Sequence, residues 1–104
     1  MRRKYKVVTL CGSTKFKKEF MEVEKKLTLD GYIVISVGLF GHSDDKDIMT
    51  DQIKEMQDDM HLSKIDMSDE IFVINVNGYI GDSTKSQIEY AKSKEIPIRY
   101  YQNI

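Results

Sequence analysis

The side chains best suited to chemistry fall in three short polar segments. Cys11-Gly12-Ser13-Thr14-Lys15 follows a compact apolar run and precedes a helical pattern, which makes it a strand-to-helix turn. Backbone N–H groups at a helix start have no intrahelical partner, and with the helix dipole they attract an anion. Gly12 lets the backbone approach a ligand, Ser13 and Thr14 carry hydroxyls, and Lys15 adds a positive charge. That set suits a phosphate or a sugar. The same residues also suit an ordinary turn in which Ser13 or Thr14 caps the helix. A Walker loop is excluded, because it needs a longer glycine-rich stretch ending in Gly-Lys-Ser/Thr. The second segment, residues 77–84, carries two glycines and the pair Ser83-Thr84 before another helical pattern, with Gln87 one turn further on. Here Thr84-Lys85-Ser86-Gln87 also matches a capping box, in which the cap and the Gln satisfy backbone N–H groups reciprocally. The third segment, residues 38–46, holds His42, Asp44 and Asp45, with Asp47 just beyond and His61 further along. Their spacing matches no zinc or calcium pattern, so no metal is expected. Cys11 reads as a small buried hydrophobe with no local base, and Asp66 and Asp69 as turn or cap residues.

The elements that must position these segments alternate regularly. Residues 5–11 form a β-branched, apolar run that fits a buried first strand. Phe16, Phe20, Val23 and Leu27 follow at steps of four, three and four, one face of a helix that Asp30-Gly31 ends. Residues 32–37 read as a second strand. Met49, Ile53, Met56 and Met60 repeat the helical spacing and predict a second helix running into Leu62 and Ile65, its methionines packed in the core. Residues 70–76 are apolar from Ile71 except for Asn75, as in a strand covered on both faces. Residues 83–94 predict a third helix and residues 96–101 a last short strand, with Pro97 near its start where a missing N–H is tolerated. The order β-α-β-α-β-α-β predicts a single α/β domain over residues 1–104. Its sheet is mainly parallel, doubly wound and four- to five-stranded, with helices on both faces in the Rossmann or flavodoxin manner. Such sheets bind ligands beyond the carboxyl ends of their strands, where strand order reverses. The loops at 12–15, 38–46 and 77–84 all fall on that rim.

Composition narrows the partner. A chain of 104 residues with net charge −1 and interspersed charges offers no field for a nucleic-acid polymer or an anionic membrane. Its single cysteine fits a reducing compartment. The basic start Met1-Arg2-Arg3-Lys4 is followed by an apolar run from Val7 to Cys11 only, too short for a signal core or a membrane span. A cytoplasmic protein with a small-molecule partner is expected.

Three segments together resemble the nucleoside 2-deoxyribosyltransferase superfamily, which includes the 2′-deoxynucleoside 5′-monophosphate N-hydrolases. They are Leu10-Cys11-Gly12-Ser13-Thr14-Lys15-Phe16, the stretch 61–69 leading into 71–76, and the stretch 81–91. The resemblance implies N-glycosidic bond cleavage or transfer on deoxynucleosides or their 5′-monophosphates, without a cofactor. It implies a carboxylate nucleophile at the anomeric carbon, the logic of retaining glycosidases. On this resemblance Gly12, Ser13, Thr14 and Lys15 hold phosphate or sugar with help from Ser83 and Thr84, and Phe40, Gly41 and His42 border the base. The family's nucleophilic glutamate falls on Gln87, and its acid/base aspartate on His61. Histidine can transfer protons near neutral pH, whereas an amide oxygen is a much poorer nucleophile than a carboxylate. The chain is then a binder that has lost turnover, or it carries an introduced Glu→Gln exchange. Glu89 is a poor substitute, because two residues along a helix rotate the side chain by about 200°. Members of that family complete the pocket from a neighbouring subunit, so the resemblance also implies a homodimer or higher homo-oligomer.

Overall fold

In the computed structural model, which describes residues 2–41 and 45–102, four strands form one all-parallel sheet in the order β2-β1-β3-β4. β1 (Val7–Gly12) and β3 (Glu70–Ile74) hold the centre, with β2 (Ile33–Ile35) and β4 (Ile98–Tyr100) at the edges. In register, Val8 lies opposite Val34 on one side of β1, while Leu10 meets Phe72 and Gly12 meets Ile74 on the other. Val8, Thr9, Leu10 and Cys11 are all buried. A central strand covered on both faces has no solvent-facing position, which is why this run shows no polar alternation. Three crossover helices, α1 (Lys17–Leu29), α2 (Asp51–Asp66) and α3 (Asp82–Ser93), complete a doubly wound α/β domain of flavodoxin-like order.

The strand pleat sorts the core into two layers. Val8 and Leu10 face α1 and pack with Phe20, Val23, Leu27 and Ile74. Cys11 faces the other way, among Ile65, Ile71, Val73, Ile88 and Ala91 from α2, β3 and α3. An isolated helix of 13 residues is marginal in water. α1 is therefore held by Phe20, Val23 and Leu27, each contributing about 1.5–3 kcal/mol when buried. It stops at Asp30, after which Gly31 takes a left-handed φ of +95°. α2 starts on Thr50, whose hydroxyl accepts from the Ile53 amide at 3.1 Å. Asp69 accepts from the Val7 amide at 2.7 Å and Asp66 from the Tyr90 hydroxyl at 2.7 Å, both fold contacts.

Two expectations from the sequence are corrected here. The methionine stripe of the second helix does not pack in the core: Met56 and Met60 are 54% and 43% exposed, and Met49 precedes α2. The buried residues of α2 are His61 and Ile65, because only its second half lies on the sheet while Lys54, Gln57 and Asp58 from its first half wall a cleft. The third strand also ends at Ile74, two residues early. The Asn75 side chain turns to the chain beyond β4, its Nδ2 donating to the Gln102 carbonyl at 3.0 Å and its Oδ1 accepting from the Gln102 amide at 2.9 Å. Asn75 is thus a buried polar residue with both amide atoms satisfied. Among the described residues, no helix is long and apolar enough to cross a membrane.

Candidate functional site

The chain leaves β1 toward edge strand β2 and returns on the opposite side as β3, so strand order reverses between the two central strands. Beyond their carboxyl ends lies a cleft of about 480 Å³, within the roughly 300–1,000 Å³ of small-molecule sites. Gly12, Ser13 and Thr14 line it from the turn after β1, and Gly38 and Gly41 from the loop after β2. Lys54, Asp58, His61 and Lys64 line it from α2, and Gly81, Ser83, Thr84 and Gln87 from the start of α3.

Gly12 is fixed by sterics. It sits at φ +152°, and a Cβ there would lie 2.9 Å from the Ile74 carbonyl oxygen and 3.2 Å from the Ile74 Cβ. Only glycine lets β1 and β3 run this close before the turn. Ser13 then caps a 3-10 turn (Thr14–Phe16), its Oγ accepting from the Lys15 amide at 3.4 Å, and α1 begins only at Lys17. Lys15 is not itself a lining residue, although it rests on Tyr79, which is. Its Nζ lies 3.7 Å from the centre of the Tyr79 ring and 5.2 Å from that of Phe16, and the two rings meet edge to face at 5.9 Å. The positive charge is drawn to the aromatic face.

At the second rim α3 starts at Asp82 with Gly81 as N-cap and without a side-chain cap bond. The capping box expected at Thr84 and Gln87 therefore does not form: Thr84 is the third helical residue and is buried, not a cap. The Gln87 Oε1 is buried and has no hydrogen-bond partner among the described residues. Such an orphaned acceptor, on a side chain lining a cleft, is positioned to receive a ligand donor.

His61 lies at the base of the α2 wall, its Nε2 3.3 Å from the buried Cys11 Sγ. Burial holds the imidazole pKa down to about 4, aided by the Lys64 charge and partly offset by Asp58. Burial also pushes the Cys11 thiol up to about 12. The contact thus joins two neutral groups, and His61 at pH 7 offers the cleft an uncharged ring, not an imidazolium proton. Lys64 donates to the Ser36 carbonyl at 2.9 Å, and burial lowers its pKa. Nearer the mouth, the Lys54 Nζ sits 2.8 Å from Asp58 Oδ2 and 3.5 Å from the Ser83 hydroxyl.

The structure therefore gathers Gly12, Ser13, Thr14, Gly41, His61, Ser83, Thr84 and Gln87 around one space. It does not bring Phe40 there: that ring packs edge to face on Phe20 at 5.8 Å, in the layer under α1. His42 lies outside the described residues. Lys54, Asp58 and Lys64 were missed, although with Gln57 and His61 they repeat at helical spacing and mark the polar face of α2. Among the described residues, no group of three or more His, Cys, Asp or Glu could hold a metal ion. No protein-family model matches the chain, and no curated protein matches its sequence.

Proposed function

We propose that the chain binds a nucleoside or nucleotide in this cleft, in the manner of the deoxyribosyltransferase-like proteins its sequence resembles, and holds the N-glycosidic bond without cleaving it. The observation that carries the reading is the convergence of the Gly12-Ser13-Thr14 turn and the uncapped start of α3 on the unpartnered Gln87 Oε1. The turns supply hydroxyls and backbone amides for a sugar or phosphate. Gln87 supplies an acceptor where the resembling family has its nucleophile, and a neutral amide forms no glycosyl ester there. Two carboxylates do line the cleft, Asp58 and Asp82, but Asp58 is engaged by Lys54 and Asp82 opens α3.

The test pairs binding with turnover. Isothermal titration of the wild-type chain with 2′-deoxynucleosides and their 5′-monophosphates is expected to show binding, with intact ligand recovered by chromatography. Gln87→Glu is expected to release free base from a bound deoxynucleotide. Absence of binding by any of these compounds would overturn the nucleotide reading. Base release by the wild type would overturn the claim that Gln87 withholds turnover.

A further inference from the structure

Resting on the reading of the cleft as a nucleotide site, we propose that Lys54 is the residue that selects a 5′-monophosphate over the bare nucleoside. The cation nearest the Gly12-Ser13-Thr14 turn in sequence, Lys15, does not itself line the cleft, and its ammonium is occupied on the ring of Tyr79, which does. Two lysines line the cleft among the described residues, and they differ in what they hold. Lys64 is engaged with the Ser36 carbonyl at the end of β2. Lys54 stands at the mouth, its ammonium between Asp58 on its own helix and the Ser83 hydroxyl on α3. Its side chain is 57% exposed, so it can turn to a ligand without vacating a packed position.

An ammonium, a hydroxyl and a helix start lacking a side-chain cap meet at this point, which is the chemistry that recognises a phosphate, with Asp82 at the first position of that helix setting a carboxylate against it. Deeper in the cleft, the unpartnered Gln87 Oε1 offers an acceptor for a sugar hydroxyl or a base N–H. A ligand spanning the two carries a donor at one end and an anion at the other, as a nucleoside monophosphate does. Asp58 holds the Lys54 ammonium in place at 2.8 Å and, being negative, also opposes the incoming phosphate. The pair thus sets selectivity in both directions: Lys54 admits the phosphate, and Asp58 limits how tightly it is held.

The experiment measures the affinities of 2′-deoxynucleosides and their 5′-monophosphates for the wild type, Lys54→Gln, Lys54→Arg and Asp58→Asn. Melting of each ligand-free variant checks folding. The wild type is expected to prefer the monophosphates. Lys54→Gln should weaken them by about tenfold, the scale of one charge-assisted hydrogen bond near the surface, while nucleoside affinity is kept. Lys54→Arg should retain the preference and Asp58→Asn should raise it. If the wild type binds but Lys54→Gln keeps its monophosphate preference, or weakens nucleoside and monophosphate equally, the Lys54 inference is overturned and the nucleotide reading stands. If the wild type binds none of the compounds, the nucleotide reading fails and this inference with it.

Discussion

Alanine at position 12 would probe the closest approach of backbone in the sheet. The added Cβ would stand 2.9 Å from the Ile74 carbonyl oxygen, closer than real Cβ atoms come, and 3.2 Å from the Ile74 Cβ. Ile74 is fully buried and paired to Gly12 in the central ladder, so neither partner can withdraw without breaking the β1–β3 register. Overpacking of this kind costs about 1–3 kcal/mol. Holding alanine at a φ of +152° adds strain of about 1–3 kcal/mol. Gly12→Ala should therefore lose roughly 2–6 kcal/mol out of a total stability on the order of 5–15 kcal/mol. For a domain of this size each 1 kcal/mol moves Tm by about 4–8 °C. Urea unfolding followed by circular dichroism measures the loss, with Gly38→Ala as the matched control. A Cβ at Gly38 would meet nothing within 4 Å, so that variant should stay within about 0.5 kcal/mol of the wild type or gain slightly. A Gly12→Ala protein within 1 kcal/mol of the wild type, or a Gly38→Ala protein equally destabilised, would refute the steric reasoning.

Two further outcomes follow from burial on α2. Because the folded His61 pKa is held at about 4 against an ordinary 6.5, the unfolded chain binds a proton between those values that the folded chain does not. This contribution is fully present above about pH 6.5 and is lost as pH falls toward about 4. It amounts to about 3 kcal/mol, and urea midpoints at several pH values should lose that slope in His61→Gln. On the same helix, Met56→Gln should change stability by less than about 0.5 kcal/mol, whereas Ile65→Ala should cost about 2–5 kcal/mol. Thermal melts that ranked the two in the opposite order would show that α2 packs by its methionine face.

Fold and site were legible in the sequence to different depths, for physical reasons. The apolar run around Val8 and Leu10, and the spacing of Phe20, Val23 and Leu27, announce their elements because burial imposes those patterns locally. The methionines of α2 mimic the same signal, yet Met56 and Met60 are exposed, and periodicity carries no information about which face another element covers. Thr84 and Gln87 match a capping box, but α3 begins earlier, at Asp82 with Gly81 as its cap, and that shift of three residues turns a cap into a buried position. Lys15 looks like a phosphate ligand in its own segment. Its actual partner, the Tyr79 ring, is distant in the chain, so the contact exists only in the fold. The cleft side of α2, with Lys54, Asp58 and His61 at helical spacing, is present in the sequence, but charged residues at that spacing equally mark an ordinary solvated face.

The Lys15 and Phe16 contacts with Tyr79 join the turn after β1 to the segment entering α3. Those segments form two of the edges of the cleft. The three side chains form a clasp between those edges, its cation–π contact worth about 0.5–1 kcal/mol at an exposed site. A change at Lys15 therefore reaches the cleft through the Tyr79 ring, which lines it, although Lys15 itself does not.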